Sequence, residues 1–364
     1  MKEGWQIMDF ELCLDKTKTT TKLQSSMYGE QGAFPIVSQE KELISGYWDN
    51  ENDVFKHETP IVIFGDHTQV VKYIDFDFVI GADGVKILAP KSFLNPKYFY
   101  YWVMSVHIPS HGYARHYRYL KEHQVPVPPL SEQQRIVSLL DAEFAKIDTL
   151  KANAERNLQN AKDLFQAALK EELRPKEGWK SAKLSDVVKV INGRAYSKEE
   201  LLPKGKYRVL RVGNFFTNDS WYYSDLELDE DKYCDSGDLL YAWSASFGPK
   251  IWDGEKVIYH YHIWKMLPSM ELDKDYLYYW LQSYQLTSQV MSRLHGTTMV
   301  HITKGIMEAT TIQYPSNIDQ QRISKTLDTL NEKCKTLQTN YEKTIVLCDD
   351  LKQALLRKAF NGEI

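Results

Sequence analysis

The sequence predicts an α+β fold: two globular domains with curled, mainly antiparallel sheets, separated by two long helices that form an antiparallel coiled coil. Three ordered repeats predict it. KEGW at Lys2–Trp5 returns at Lys176–Trp179, YFYYW at Tyr98–Trp102 returns as YLYYW at Tyr276–Trp280, and EQQRI at Glu132–Ile136 returns as DQQRI at Asp319–Ile323. One duplicated unit, running from a variable domain into a long helix, accounts for all three, whereas chance would have to keep their order. At 364 residues the chain also exceeds what one core usually organises.

The first domain, residues 1–130, carries short apolar runs such as TPIVIFG and DFDFVIGADGVKILAP among Gly, Asp and Asn turns, the pattern of strands. A tyrosine-rich helix is expected near 96–107. In VPVPPLSEQQRI the prolines precede Ser131, and Ser131 with Gln134 fits a capping box that opens a helix over 131–173. No proline or glycine interrupts it, and at ~1.5 Å per residue it reaches roughly 65 Å. Its seven-residue series is Leu140, Ile147, Ala154, Ala161 and Ala168. The second domain, 174–316, repeats the strand pattern with YRVLRVGNF, GDLLYAWSASFG and KVIYHYHIWKML, and expects a helix near 274–292. The final segment, 317–364, gives Leu327, Cys334, Tyr341, Cys348 and Leu355, with Ile323, Leu330, Leu337 and Leu351 on a companion seam. Heptad spacing held over about five heptads suits a coiled coil. A helix that long cannot bury its stripe against itself, and the other copy supplies a partner. Small Ala154, Ala161 and Ala168 then face the larger Leu327 and Tyr341.

Composition narrows the class of protein. Hydrophobic residues at 43% and charged residues at 26% are ordinary for a soluble protein, and no run approaches a ~18-residue membrane helix. The N-terminal residues lack a signal-peptide core, so a cytoplasmic location is expected. The four cysteines, Cys13, Cys234, Cys334 and Cys348, form no CxxC pair, so neither a disulfide framework nor a structural metal is expected. A formal charge of −4 leaves nucleic-acid binding to local basic faces rather than to the total.

GxxxxGK[ST], GxGxxG and HExxH do not occur. Asn95-Pro96-Lys97-Tyr98 resembles an NPPY-type methyltransferase motif only superficially, since Lys97 stands at its third position, and it reads as a helix-starting turn. His260 and His262 lie two apart on an expected strand and could face one metal, but lack a third ligand with supporting spacing, so a packed strand is the better reading. Catalytic residues and metal ligands are therefore expected to be none.

What remains is suited to binding. HGYARHYRYLKEH sets Arg115, Arg118 and Lys121 with His111, His116 and His123 among Tyr113, Tyr117 and Tyr119. At the equivalent place in the second half, SRLHGTTMVHITK offers Arg293, His295, Thr297, Thr298, His301 and Lys304. Cations neutralise phosphates and Arg grips guanine edges with two bonds. Either segment alone reads equally as a solvated loop; their matched position after the YYW helix favours DNA. WSASFGPKIW adds Ser244, Ser246 and Lys250 beside Gly248, and FGDHTQVVKY adds His67, Gln69 and Lys72.

Taken together, VPVPPLSEQQRI, its degenerate copy IQYPSNIDQQRI, the KEGW starts, SFGPKIW and LHGTT make the chain resemble, over nearly its whole length, the specificity subunit of a type I restriction-modification system. The resemblance implies two target-recognition domains, each reading half of a bipartite DNA sequence, and two helices that set the spacer and dock two methyltransferase subunits, with restriction and translocase subunits joining through the complex. It also implies a non-catalytic chain without a cofactor of its own, S-adenosylmethionine, ATP and magnesium being held by partners. Because the domains share little sequence outside the repeats, the two half-sites should differ, giving an asymmetric target. Four residues inserted into the 131–173 helix would add ~6 Å and lengthen the spacer by about one or two base pairs. Two rival readings stay open: a coiled-coil scaffold with protein-binding globular ends, and a self-contained DNA-modifying enzyme.

Overall fold

A computed structural model describes residues 4–109, 112, 114–244, 246–291 and 302–364. The chain divides into two compact units, Met1–Arg156 with Tyr341–Ile364, and Asn157–Asn340. Each long helix contributes to both: the first spans Leu130–Glu172 and the second Asn317–Phe360.

In the first unit, strand Gln6–Asp9 pairs antiparallel with Gln124–Val127. A four-stranded antiparallel sheet follows in the order Leu14–Asp15, Val85–Pro90, Ile61–Gly65, Val71–Ile74. A five-stranded sheet is centred on Phe78–Gly81, which pairs parallel with Lys22–Leu23 and Phe34–Val37. The second unit repeats the plan. Lys180–Lys183 pairs with Thr311–Tyr314, and the four-stranded order is Val188–Asn192, Ile263–Pro268, Leu239–Ser244, Ser246–Ile251. Its other sheet runs Tyr222–Ser224, Tyr207–Leu210, Val257–Tyr259, Tyr233–Cys234, with one parallel pair between the two middle strands.

The repeated motifs are the joints between domain and helix. Both KEGW turns place glycine in the left-handed region, Gly4 and Gly178 each at φ +86°, where a Cβ would be strained. Trp5 and Trp179 then pack on the cores of their own units. In the tyrosine helices, Pro96–Ser105 and Lys274–Gln282, Tyr98 and Tyr276 each donate to a backbone carbonyl of the strand before the long helix, at Pro126 and Gln313, both 2.9 Å. Tyr101 and Tyr279 each donate to a helix carboxylate, Asp141 and Asp328, both 2.5 Å. The glutamines complete the joint. Gln133 and Gln320, both fully buried, accept from the backbone N–H of Asn95 and Asp273 at 2.7 Å and donate to two carbonyls apiece. Asn95 and Asp273 in turn cap their tyrosine helices.

Several expectations need correction. Ser131 is not the N-cap: the first long helix already begins at Leu130, with the N–H groups of Glu132 and Gln133 bonded to the Pro129 carbonyl. The capping arrangement sits in the second copy, where Asp319 N–H donates to Ser316 Oγ, whose hydroxyl donates to the Asp319 carboxylate. The second tyrosine helix breaks at Ser283 before Tyr284–Met291, because Ser283 Oγ bonds back to the Trp280 carbonyl. KVIYHYHIWKML is two strands, not one, with His260–His262 forming a turn between them.

Within the first unit the helix segments run antiparallel, as the pairs Asp148–Lys352 and Lys151–Asp349 require. Leu140, Ile147, Ala154, Cys348, Leu356 and Ala359 are buried there. In the second unit Ala161, Phe165, Leu169, Leu327 and Cys334 are buried. Ala168, Tyr341 and Leu355 are only half-buried, and the companion-seam residues Leu337 and Leu351 are exposed at 40% and 47%, which removes them from the seam. The alternate seam of the first helix is filled instead by Phe144 and Phe165.

Candidate nucleic-acid interface

In the first unit the Ile61–Gly65 and Val71–Ile74 strands form a hairpin whose tip is Asp66–Val70. Two hydrogen bonds and one backbone turn hold that tip. His67 N–H donates to Gln39 Oε1 at 3.1 Å, the Thr68 hydroxyl donates to the Gln39 carbonyl at 2.6 Å, and Gln69 turns the chain at φ +58°, a left-handed conformation uncommon for a residue with a side chain. The Asp66 carbonyl accepts from His116 N–H at 2.7 Å, and the Asp66 carboxylate accepts from Tyr117 N–H at 2.9 Å. His67 Nδ1 lies 3.2 Å from the Ala114 carbonyl. Two groups far apart in sequence, His67 with Gln69 and Arg115 with Arg118, are therefore brought to one edge.

Arg115 is exposed, and Arg118 is exposed with its guanidinium 4.5 Å over the Tyr119 ring. Lys121 pairs with Glu11 and keeps a second contact with the face of Tyr117. Two predicted contacts are corrected by burial. Lys72 is 5% exposed; its ammonium donates to the carbonyls of Ser38, at 2.9 Å, and Glu42, and burial lowers its pKa from the ordinary lysine value. His116 is 1% exposed and braces Asp66. Both hold the scaffold of this edge rather than face solvent.

The equivalent hairpin of the second unit joins Leu239–Ser244 to Ser246–Ile251, with Ser244 opposite Ser246. Ser246 is exposed at its tip, while Ser244 is buried. Lys250 lies 5.4 Å over the Trp252 ring and 3.9 Å from Asp253. Lys304 opens a short helix and pairs with Glu308 at 3.4 Å. Arg293, His295, Thr297, Thr298 and His301 lie outside the described residues, as do His111 and Tyr113.

The sequence reading missed a neighbouring feature of the second unit. Trp243 stacks on Trp264 at 5.5 Å and 18°, and Tyr241 stacks on Trp264 at 6.1 Å and 15°. The His262 ring meets Trp243 edge-on at 5.1 Å, and Tyr261 lies 38% exposed beside it. Gly193 lets a second chain segment brace this turn, since a Cβ there would fall 2.4 Å from the His260 carbonyl oxygen. An open cavity of about 320 Å³ adjoins the turn, lined by Arg211, Asn214, Ser220, Tyr222, His260 and His262 among others. The signal in sequence was HYH itself, three aromatic rings in a row, which alternation had assigned to a strand. Among the described residues no group of three or more His, Cys, Asp or Glu side chains could hold a metal ion, and no helix is long and apolar enough to cross a membrane.

Known proteins share this sequence pattern and this fold. The family model for the type I restriction modification DNA specificity domain matches residues 3–159 and again 176–345. The type I restriction enzyme EcoR124I/EcoR124II specificity subunit of Escherichia coli is 27% identical over 194 residues, 48% of this chain; the match spans 46% of that relative, under half its length. A solved chain from work on complex assembly and conformational transition of the type I R-M system superposes with a TM-score of 0.77 at 17% identity, covering 100% of this chain and 99% of the other. The HsdS subunit from Thermoanaerobacter tengcongensis superposes at 0.59 with 18% identity, covering 100% and 98%. At such identities the structural likeness speaks for the fold alone.

Proposed function

Given that the chain belongs to the type I restriction modification DNA specificity family and carries its domain twice, we propose that it reads DNA sequence for a type I restriction-modification complex in the cytoplasm. Each domain reads one half of a bipartite, asymmetric double-stranded target. The duplication carries this reading: two domains of one plan but unlike surfaces are held to long helices by the same buried glutamine and tyrosine bonds. The first-unit edge bearing His67, Gln69, Arg115 and Arg118 and the second-unit hairpin tip at Ser246 are the contact surfaces.

The chemistry of modification and cleavage belongs to partner subunits, which bind S-adenosylmethionine, ATP and magnesium; this chain supplies address, not reaction. Two methyltransferase subunits dock on the long helices. Supporting that placement, Leu150, Leu164, Val346 and Leu347 each expose at least half of their surface there.

The test is co-expression with type I methyltransferase subunits, followed by genome-wide mapping of modified bases. The expected result is one interrupted motif with two different half-sites, lost when this chain is omitted. A palindromic motif, or modification that persists without the chain, overturns the proposal.

A further inference from the structure

The cavity beside His260–His262 has a composition that selects its ligand. Arg211 forms one wall, its guanidinium 5.2 Å over the Tyr222 ring. Other arginines of this unit are neutralised: Arg194 by Glu200 at 2.7 Å, Arg208 by Glu255 at 3.1 Å, Arg322 by Asp319 at 3.6 Å. Among the described residues, no Asp or Glu lines this cavity. The cation there is left for something that arrives from outside.

Hydrogen-bonding capacity points the same way. The loop 214–220 turns three of its acceptors inward: Asn214 Nδ2 donates to the carbonyls of Asn218 and Ser220 at 2.9 and 2.7 Å, and Ser220 N–H donates to Asn218 Oδ1 at 2.7 Å. The donors, Asn218 Nδ2 and the Ser220 hydroxyl, remain uncommitted among the described residues. His260 Nδ1 accepts from His262 N–H at 3.5 Å, which puts the proton of a neutral ring on Nε2, another donor. Burial, with His262 and Arg211 adding to it, holds this imidazole neutral by lowering its pKa to about 4. Adenine and cytosine edges carry amine donors that would meet fewer acceptors than donors here, whereas a guanine edge in the major groove offers acceptors only and is the alternative that an altered methylated motif would reveal. A phosphodiester offers acceptors only.

We infer that this cavity seats a backbone phosphate of the DNA target, with Arg211 as its charge partner and Asn218, Ser220 and His260 as neutral donors. The inference rests on the specificity reading and adds to it a register-setting contact that carries no sequence information. The phosphate also explains the aromatic stack, since a fixed backbone point brings the adjoining nucleotides to the exposed edge of Tyr261 and Trp243.

The experiment uses the complex with its methyltransferase subunits and a duplex carrying the motif that the wild-type complex methylates in cells, against a scrambled duplex. Arg211→Gln should weaken binding to both duplexes by about ten-fold and make the slope of log K against log salt shallower by about one, while Arg211→Lys keeps most of the affinity and the methylated motif stays the same. Ser220→Ala should weaken binding about three-fold with the salt slope intact. Arg211→Gln with unchanged affinity and slope overturns the inference, and so does a changed methylated motif, which would make Arg211 a base reader. Wild-type complex that fails to tell the two duplexes apart would instead withdraw the specificity reading on which the site depends. A melting midpoint matching the wild type certifies that each variant folds.

Discussion

Lys72 and His116 show how exposure, which sequence does not carry, decides what a charged residue does. Both types suit phosphate, yet their polar atoms are fixed to carbonyls of Ser38, Glu42 and Asp66. A buried polar group held by backbone carbonyls orders a loop; it does not meet a ligand. His260 is the converse, a ring read as strand packing that lines a cavity. Its pKa, about 4 when folded against an ordinary 6.5, favours the neutral form in the native state. Its contribution to stability is therefore complete above about pH 6.5 and is lost progressively as pH falls toward 4. Melting curves between pH 7.5 and 4.5 should show the wild type losing stability more steeply than His260→Gln; parallel slopes would refute the assignment. Arg115 and Arg118 lie exposed at the edge and Gln69 half-buried at the hairpin tip, so burial leaves their predicted chemistry open where it withdraws that of Lys72.

Heptads told that the long helices pair, but not which of their residues meet. A straight α-helix turns every 3.6 residues, so a strict seven-residue stripe drifts around it. Along the second helix the companion seam accordingly advances from Leu330 to Gln338, Ile345 and Lys352, leaving Leu337 and Leu351 outside. The first helix compensates its alanines with Phe144 and Phe165, each under a tenth exposed. Phe144→Ala or Phe165→Ala should cost ~3–5 kcal/mol, while Leu351→Ala should stay within about 0.5 kcal/mol. Denaturant titration of the three variants distinguishes this seam from a uniform one. The QQ pair was visible as a repeat, yet its meaning was hidden: a glutamine bonded to a carbonyl just past its own approach strand and to the cap of a separate helix is specified only by tertiary structure.

For the molecule as a whole, sequence repeats were sufficient to reveal two domains of one plan, because the repeated residues are those that hold domain to helix. The cavity at Arg211 escaped notice since it is assembled from segments near 211–222 and 260–262 whose adjacency depends on a parallel strand pair. The proposed spacer-setting role also takes a sharper form. Because Lys151 meets Asp349 and Asp148 meets Lys352, lengthening one helix alone would slip every such pair. Seven residues added to both, after Arg156 and after Asn340, keep the heptad and add ~10 Å, or about three base pairs at ~3.4 Å each. The methylated motif should gain that many spacer positions; an unchanged spacer would end the ruler idea.

All four thiols of this chain, Cys13, Cys234, Cys334 and Cys348, are unpaired and buried, and burial raises the pKa of Cys13 to about 11 and that of Cys234 still further. Thiolate is the reactive species, so maleimide dyes will leave the native protein nearly unlabelled. A single cysteine introduced at exposed Thr68 or Ser246 would then take a fluorophore at one chosen hairpin tip, letting each half of the molecule report its own encounter with DNA.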